Sequence, residues 1–419
     1  MTPGFRLVLA VPLLAVAVFS ACGSENEPLD QPSPPAIAVN NPRIASVDLI
    51  LIEPIHDVLR AYLQQIETDY DAVADNLDSL RSEILAFLEE PSTTSMNNVR
   101  SAWLLSHSAY ELTTLHRYFA VLILNEAEIL SLFSLQYRMN HWPILPGYID
   151  YVAGFIDTGI VQDITVALNI PTLQEQHGIF GLSEVSLGFH VIEFLLWGEN
   201  PDQITPRSAA DYRPVTRLTP AQAESGLELD LLSNNRRRQL LLLNTQSLID
   251  DFYTSQALWL AGRDRFVNTL SGYGSGELLV LLIEAMTGML TEEMLVRSLY
   301  PLLNGEYIDS IQSPFSHSTQ NAVSAQLTSI EQLLLDTDST QGLSLDSILI
   351  SLSSDFEELF YQNFDASKEC LVLLYSTLGN PEDTRDSLQA EFEIVECINL
   401  LTNMIDYLEQ IKIGLYDPV

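Results

Sequence analysis

The chain has 419 residues, and 47% of them are hydrophobic, which suffices for the buried cores of about two to three domains. Its 56 acidic residues outnumber its 19 lysines and arginines, so the formal net charge is −37 at pH 7. This excess of acid excludes a general nucleic-acid-binding protein, because binding to phosphates requires a basic face. It also argues against a polybasic membrane-surface protein.

Residues 1–22 have the pattern of a bacterial lipoprotein signal. Arg6 gives a short positive region, and the apolar run over residues 7–19 is too short for a comfortable membrane span. The run ends in Phe-Ser-Ala-Cys, which resembles a lipobox, where the cysteine becomes the lipidated N-terminus. We expect a signal peptide over residues 1–21, lipidation of Cys22 and, because Gly and not Asp follows the cysteine, anchoring at the outer membrane, facing the periplasm or the cell surface. The alternative is an ordinary secretory signal that is cleaved nearby.

A flexible tether is predicted over residues 22–44. It contains five prolines among serines, asparagines and acids, and it has little apolar surface to bury. After it, no segment has the ~20 consecutive apolar residues that a membrane-spanning helix needs. We therefore expect a folded body that a lipid and a flexible spacer hold near a membrane.

The rest of the chain has helical periodicity, with apolar residues at three- and four-residue steps. Strand-like alternation with hairpin turns is nearly absent. The spacing predicts helices over Val47–Leu88, Asn98–Phe119, Leu122–Tyr137, Ser183–Trp197, Leu227–Leu260, Glu277–Leu303, Thr319–Leu335, Leu345–Leu378 and Thr384–Leu415. We expect an all-α fold of two helical bundles of the four-helix type, over residues 45–225 and 226–419. The helix near Leu227 fits either bundle or a bridge between both.

Two cysteines remain in the body, Cys370 and Cys397, both in predicted helices. An oxidising compartment would permit a disulfide between them. Spacing alone does not show that their Cα atoms come within ~7 Å. A disulfide and two buried free thiols therefore both remain open.

A histidine and a glutamate stand out in the most apolar predicted helix. His190 and Glu193 are three residues apart, so they project from one helix face. An imidazole and a carboxylate with this spacing are ligands for iron, manganese or zinc inside helical bundles, and Gly188 leaves room for a neighbouring helix or a ligand. The alternative is a structural pair, in which an arginine such as Arg117 or Arg297 satisfies Glu193 in the core.

The run Gly-Phe-His-Val-Ile-Glu-Phe-Leu-Leu-Trp-Gly-Glu over residues 188–199 resembles the G-x-H-x-x-E signature of the imelysin-like family and its continuation. This family is also known as iron-regulated protein A and as insulin-cleaving metalloprotease-like protein. Other positions agree in the same order between residues 45 and 415: Arg100, Trp103, Tyr110, Arg117, Trp142, Pro143, Tyr148 to Tyr151, Arg236, Arg237 and Trp259.

The resemblance implies an all-α fold of two bundles with the signature near their interface, and a secreted or surface-anchored protein of iron or haem acquisition. The peptidase label of the family has no independent support here, because the zinc-protease pattern H-E-x-x-H is missing. The positions that the resemblance assigns to the site are His190 and Glu193 as metal ligands, with Gly188, Tyr110, Arg117, Trp142, Asp150 and His317 as candidates for the remainder.

The chain departs from the family pattern where the family has carboxylates. Thr114 stands in place of a glutamate, Val296 in place of the glutamate of a Glu-Arg pair, and Leu145 and its neighbour in place of an acidic pair. His317 takes the place of an aspartate and could still ligate a metal. We expect that the second bundle has lost its share of the site.

We expect a binding protein and not an enzyme: a lipid-tethered body that captures iron, another divalent metal or haem between its bundles. Its expected partners are the membrane, through Cys22, and an outer-membrane transporter or a partner lipoprotein, with no nucleic acid. The alternatives are an interaction module in which the His190–Glu193 pair is structural, and a metallopeptidase. A metal site predicts that further side chains converge on the pair, and the ones to check are His107, His141, Tyr110, Asp150 and His317.

Overall fold

Helices form almost all of the regular structure, as the periodicity predicts. The computed structural model describes residues 52–199, 207–306, 310–335, 344–353, 355–378 and 387–416. Over these ranges it contains no β-strand, and an isolated bridge joins Val152 to Phe155. The predicted all-α fold is therefore confirmed. The predicted signal peptide over 1–21, the lipidation of Cys22 and the tether over 22–44 lie outside the described residues.

Most long helices lie close to their predicted positions, but the single helix predicted over Leu345–Leu378 is two helices, the first of which ends at Leu352 and the second of which begins at Phe356. In chain order the helices are α1 (Ile55–Glu89), α2 (Thr93–Leu112), α3 (Thr114–Ile123), α4 (Glu126–Asn140), α5 (Pro146–Ile149), α6 (Ile170–Gln176), α7 (Phe189–Trp197), α8 (Pro220–Glu224), α9 (Ser233–Thr269), α10 (Ser275–Met289), α11 (Tyr300–Leu303), α12 (Thr319–Leu334), α13 (Leu345–Leu352), α14 (Phe356–Thr377) and α15 (Ser387–Tyr416). A π-helical segment, Leu290–Leu299, joins α10 to α11. In the described part of the chain, none of the helices has the length and apolar composition of a membrane span.

The longest helices pack side by side in the N-terminal part of the fold. The apolar stripe of α1 is buried from Ile55 to Leu88, as expected of an amphipathic helix on a core. α1 packs against α2 and α9, and α9 also packs against α4. α9 corresponds to the helix that is predicted to begin near Leu227. It therefore packs with the N-terminal helices.

The C-terminal helices pack onto the same core. α10 lies on α3 and α15, and α12 lies on α2 and α14. α14 and α15 pack along each other and are joined by a disulfide between Cys370 and Cys397, whose Cα atoms are 5.6 Å apart. Of the two alternatives for these cysteines, a disulfide and two buried free thiols, the structure contains the disulfide. The buried apolar residues described form one continuous cluster, and the division into two bundles at residue 226 stays a prediction.

One predicted helix is interrupted close to the candidate site. The periodicity predicts a single helix over Asn98–Phe119, whereas α2 ends just before Thr113 and α3 begins just after it. The hydroxyls of Thr113 and Thr114 each donate a hydrogen bond of 2.7 Å to a main-chain carbonyl three residues earlier. Such bonds compete with continuation of a helix. The interruption leaves Glu111 at the end of α2 and Arg117 near the start of α3.

Candidate functional site

Gly188 determines where α7 begins, since the helix starts at Phe189, six residues later than the start of the predicted helix at Ser183. Its φ is +111°, in the region that favours glycine. A Cβ atom here would lie 2.4 Å from the carbonyl oxygen of Arg138 and 2.6 Å from that of Met139, in the last turn of α4. The amide of Gly188 donates to Asn244 of α9 over 3.0 Å. α4 and α9 therefore fix the start of the helix that carries the signature.

His190 and Glu193 form a buried pair on α7, and each side chain is at most 1% exposed. The Nδ1 atom of His190 lies 2.9 Å from Oε2 of Glu193. The other oxygen, Oε1, accepts hydrogen bonds from the amide of Phe315 over 3.1 Å, from the amide of Ser316 over 2.8 Å and from the Ser316 hydroxyl over 2.7 Å. Both carboxylate oxygens are thus engaged, and Glu193 connects α7 to a C-terminal segment.

The surroundings of the pair set its protonation. Burial raises the pKa of Glu193 to about 7, while the hydrogen bonds from Ser316 act in the opposite direction. Burial also lowers the pKa of His190 well below its usual value, and the positive charge of Arg297 adds to this effect. A neutral imidazole whose Nδ1–H donates to a carboxylate carries its lone pair on Nε2. When Glu193 is ionised, the form that the three hydrogen bonds to Oε1 favour, its bond to His190 selects the tautomer in which Nε2 accepts.

The Nε2 atom of His190 is buried and has no hydrogen-bond partner among the described residues. Leaving a buried polar atom without a partner costs roughly 1–3 kcal/mol, so such atoms are uncommon. A histidine that binds a metal typically uses one ring nitrogen for the metal, while the other donates to a carboxylate that orients the ring. His190 fits this arrangement, with Glu193 as the orienting carboxylate.

His107 of α2 is one of the side chains that a metal site would bring to the pair, and it lies beside His190. The centres of the two rings are 5.2 Å apart, and the His107 ring stacks on Trp103 at 4.8 Å. The Nε2 atom of His107 lies 3.2 Å from Oδ1 of Asn140 and 3.4 Å from Oε1 of Glu111. This nitrogen is therefore engaged by neighbouring side chains.

Glu111 is a buried carboxylate that is not among the residues predicted for the site. It is 1% exposed. It accepts hydrogen bonds from the side-chain amides of Asn140 over 2.6 Å, of Gln312 over 2.7 Å and of Gln326 over 2.7 Å. One carboxylate therefore joins α2 to α4, to the segment before α12 and to α12 itself.

Electrostatics keep Glu111 ionised. Burial by itself would raise the pKa of Glu111, but the hydrogen bond and charge of His107 and the charge of Arg117 hold that pKa well below its usual range. The hydroxyl of Thr114 also donates to this carboxylate over 3.1 Å. Although the family glutamate is replaced by Thr114, a carboxylate one turn earlier is present here. In the sequence, the signal that could identify Glu111 is its spacing: it lies four residues after His107 and next to Tyr110, which is on the predicted buried stripe.

Tyr110 and Arg117 pack on each other near the pair. The guanidinium carbon of Arg117 lies 4.3 Å from the ring centre of Tyr110, and Arg117 donates to the carbonyl of Tyr110 over 2.9 Å. The Tyr110 hydroxyl is buried and has no hydrogen-bond partner within the described ranges. Burial raises the pKa of Tyr110 to about 12, against the opposing charge of Arg117. The phenol is therefore protonated at neutral pH and can donate.

Trp142 lies against Arg297 at the edge of a small cavity. The guanidinium carbon of Arg297 is 4.7 Å from the Trp142 ring centre, and Arg297 donates to Glu293 over 3.0 Å. The indole Nε1 of Trp142 is buried and has no partner in the part of the chain that the structure describes. The adjoining cavity, also lined by Gln312 and Gln326, has a volume of about 10 Å³, close to the space that one water needs.

Asp150 belongs to a different buried cluster. Arg237 donates to its carboxylate over 3.1 Å, Arg207 lies 3.1 Å from it, and Gln162 donates to it over 3.1 Å. Burial would raise the pKa of Asp150, and the two arginines hold it below its usual value. The structure therefore places Asp150 with these arginines and not with His190.

The described residues contain no cluster of three or more histidine, cysteine, aspartate or glutamate side chains that could hold a metal ion. His317 directly follows Ser316, in the segment that holds Glu193, and has a φ of +53°. His190, Glu193 and His317 as metal ligands stay predictions. The structural alternative expects an arginine such as Arg117 or Arg297 to pair with Glu193. Within the described residues, Glu193 instead makes its hydrogen bonds with His190 and with residues 315–316.

The fold and the site define an all-α protein with a buried histidine–glutamate pair where N-terminal and C-terminal elements meet. A family model described as imelysin, under a peptidase heading, matches residues 66–372, which is more than half of the chain. The chain belongs to the imelysin family. A search of curated proteins finds no match.

A solved structure shares the fold. It is the crystal structure of a protein described as an iron-regulated protein A precursor from Parabacteroides distasonis. The TM-score is 0.56 at 13% sequence identity, and the match covers 89% of this chain and 97% of the other. At this identity the similarity concerns the fold alone, and it agrees with the family assignment.

Proposed function

We propose that this protein binds iron, as an ion, a complex or haem, for uptake by the cell. The observation that carries the proposal is the buried Nε2 atom of His190, which lacks a partner among the described residues while Glu193 holds Nδ1. A neutral imidazole nitrogen is a common ligand of iron in each of these forms. Family membership and the description of the solved relative favour iron as the cargo.

The proposed location of the protein at the outer membrane is inferred from the first 44 residues of the sequence. A lipid on Cys22 and the tether over 22–44 would hold the body at the outer membrane, in the periplasm or at the surface. The net charge of −37 would raise the local concentration of cations. A tethered binding body suits delivery of iron to an outer-membrane transporter or a partner lipoprotein.

A second candidate is an interaction module in which the pair is structural. The three hydrogen bonds from Phe315 and Ser316 to Glu193 favour it, because they make the carboxylate a link between distant segments. A metallopeptidase has less support. It needs about three protein ligands and a carboxylate that activates water, and no group of three ligand-type side chains is found in the described ranges.

Metal content tests the proposal, with His190→Gln compared with His116→Gln. His116 is a matched control, since it is also buried beside a carboxylate, but its ring nitrogens lie 3.0 Å from the Tyr62 hydroxyl and 2.7 Å from Asp69. The full chain, expressed with its own N-terminal segment and purified in detergent, is dialysed against trace iron, zinc and manganese or titrated with haem. Thermal unfolding shows which variants are folded.

We expect near-stoichiometric iron or haem in the wild type and in His116→Gln, and its loss in His190→Gln. Equal content in the folded wild type and His190→Gln would contradict the proposal. An absence of cargo from all folded forms would also contradict it, and would leave the structural pair as the better account.

A further inference from the structure

We infer that an exposed apolar surface beside α4 is the docking site for a protein whose contact face combines apolar side chains with lysine or arginine. Six large side chains form this surface, which we call the apolar patch: Leu130, Phe133, Leu145, Ile179, Phe180 and Leu182. The inference goes beyond the proposed function, because it does not depend on what His190 binds.

α4 contributes one edge of the apolar patch. Leu130 and Phe133 are three residues apart and Tyr137 follows four residues later, so these side chains lie along one face of the helix. The opposite face, which includes Leu132 and Met139, is buried in the core. A helix on the surface of a protein usually has polar residues on its outer face. α4 instead has apolar side chains on both faces, and the outer ones are exposed within the described structure.

A turn over residues 178–184 carries three side chains of the patch and lies against that outer face of α4. The hydroxyl of Tyr137 donates a hydrogen bond of 2.9 Å to the carbonyl of Leu182. The amide of Leu145 donates to the carbonyl of Ser183 over 2.7 Å. These two bonds join α4, the turn and the segment before α5, so the six side chains belong to neighbouring elements. Each of them is between 45% and 76% exposed.

Hydrogen bonds hold the turn in shape while its apolar side chains remain exposed. The amide of Gly178 donates to the carbonyl of Glu184 over 2.9 Å. Behind the turn, the ring of His177 is fixed between the carbonyl of Tyr137 and the amide of Ser186. A surface that is already ordered loses little conformational entropy when a partner binds, and this favours affinity.

The apolar patch has the size of the centre of a protein interface. At roughly 150–200 Å² for each large side chain, the exposed fractions amount to roughly 600 Å² of apolar surface. A standard interface covers about 800 Å² on each partner, with an apolar centre and a polar border. The patch can therefore supply the centre, and the polar residues around it the border.

The charges around the patch indicate what covers it. Over residues 126–199 the sequence has nine acidic residues and one basic residue, Arg138. Arg138 is already paired with Asp251 over 2.6 Å. Glu126, four residues before Leu130, and Glu175, three residues before the turn, are both exposed. The border of the patch is therefore acidic, and lysine or arginine side chains on a partner would complement it.

The same charges argue against two other occupants. A second copy of this chain would bring two acidic borders together, and like charges that face each other across an interface are costly. An anionic lipid surface would be repelled for the same reason. A protein face with an apolar centre and a basic border meets neither obstacle.

The test uses a model partner, an amphipathic helical peptide of leucine and lysine. Two matched peptides replace either every leucine by serine or every lysine by glutamate. The full chain is immobilised through a C-terminal tag and washed free of detergent, and the peptides are injected at about 0.15 M salt, which screens distant charges. Surface plasmon resonance measures the dissociation constants.

Two double variants of the full chain are compared with the wild type. Phe180→Ser/Leu182→Ser removes two side chains of the patch. Phe392→Ser/Leu373→Ser is the matched control, because Phe392 of α15 and Leu373 of α14 are also well exposed but do not belong to the patch. Thermal unfolding shows that each variant is folded.

We expect the leucine–lysine peptide to bind the wild type and the control at least tenfold more tightly than Phe180→Ser/Leu182→Ser. The serine and glutamate peptides should bind the wild type at least tenfold more weakly, since the first lacks apolar anchors and the second carries the wrong charge. The inference is overturned if the wild type binds no peptide, if both variants bind equally well, or if the glutamate peptide binds as tightly as the lysine peptide.

Injection of neutral phosphatidylcholine vesicles and of a second sample of the full chain tests the other occupants. We expect Phe180→Ser/Leu182→Ser to change neither signal. A vesicle signal that this variant loses would make the patch a membrane contact. Self-association that it loses would make the patch an interface between copies. Either result would overturn the inference.

Discussion

Glu111 and Gln326 are 215 residues apart in the chain, yet a hydrogen bond of 2.7 Å joins their side chains in the core. Gln312 donates to the other oxygen of the same carboxylate over 2.7 Å. Without this carboxylate, the side-chain amides of Asn140, Gln312 and Gln326 would lose their acceptor. The same group therefore holds the C-terminal segment near His190 and helps to keep the fold together.

We expect Glu111→Gln to lower the free energy of unfolding by about 3 kcal/mol or more. The new amide would face the amides of Gln312 and Gln326, and Arg117 would lose a buried negative charge at 3.8 Å. Urea denaturation measures the change.

The control for Glu111→Gln is Glu331→Gln. Glu331 pairs with Lys368 over 2.7 Å on the surface, and both side chains are about a third exposed. Its loss should cost less than about 1 kcal/mol. Equal effects of the two substitutions would show that Glu111 does not connect the elements in the way proposed.

Gly188→Ala should destabilise the protein by at least about 2 kcal/mol. An added Cβ would meet the carbonyl oxygens of Arg138 and Met139 at 2.4 and 2.6 Å, at a φ of +111°. The matched control is Gly226→Ala, where φ is +73° but nothing lies within 4 Å of the added atom. The control should cost only about 1 kcal/mol, through the backbone alone. Melting temperatures that fall equally in both variants would argue against the close approach of α4 to α7.

Stability should decrease as the pH falls from about 6.5 to about 4, in part through His177. Its Nε2–H donates to the carbonyl of Tyr137 over 3.1 Å and its Nδ1 accepts from the amide of Ser186 over 3.3 Å, so the ring is neutral. Burial lowers the pKa of His177 to about 4, although the bond to Tyr137 opposes this. Above pH ~6.5 its contribution is complete. Below that pH the unfolded chain binds a proton that the folded chain does not, so the contribution is lost.

The measurement for His177 is urea denaturation at several pH values between 4 and 7, in the wild type and in His177→Gln. The slope that His177 adds should approach about 1.4 kcal/mol per pH unit, and His177→Gln should lack it. The carboxylates titrate in both proteins and cancel in the comparison. Parallel curves for the two proteins would refute the role of His177.

Reduction of the disulfide should lower stability by about 3.5 kcal/mol, the value that chain entropy gives for a link between residues 27 apart. Hydrogen exchange should locate the effect in α14 and α15, which the bond joins. The control is the double variant Cys370→Ser/Cys397→Ser, whose stability should not respond to reductant. A wild type equally stable with and without reductant would contradict this prediction.

Periodicity and one motif predict much of this protein, but only within single elements. The three- and four-residue spacing predicts where the long helices lie, although it ends α9 nine residues too early and joins α13 and α14 into one helix. The resemblance over residues 188–199 identifies the apolar helix with His190 and Glu193. Both signals are local. They show which face of a helix is buried, but not which group it contacts.

The remainder depends on contacts between distant residues. Gln312 and Gln326 have no unusual spacing, and their role is visible only beside Glu111. The interruption at Thr113 arises from hydroxyl hydrogen bonds that compete with the helix, which apolar periodicity does not register. Likewise, the contacts of residues 315–316 with Glu193 cross 122 residues or more of the chain.

The bond between Cys370 and Cys397 leaves Cys22 as the third and last cysteine of the sequence. The chemical state of Cys22 can therefore be read by counting thiols in protein that has not been reduced. A chain that keeps an unmodified Cys22 reacts with one equivalent of maleimide, whereas a chain whose Cys22 carries a thioether-linked lipid reacts with none.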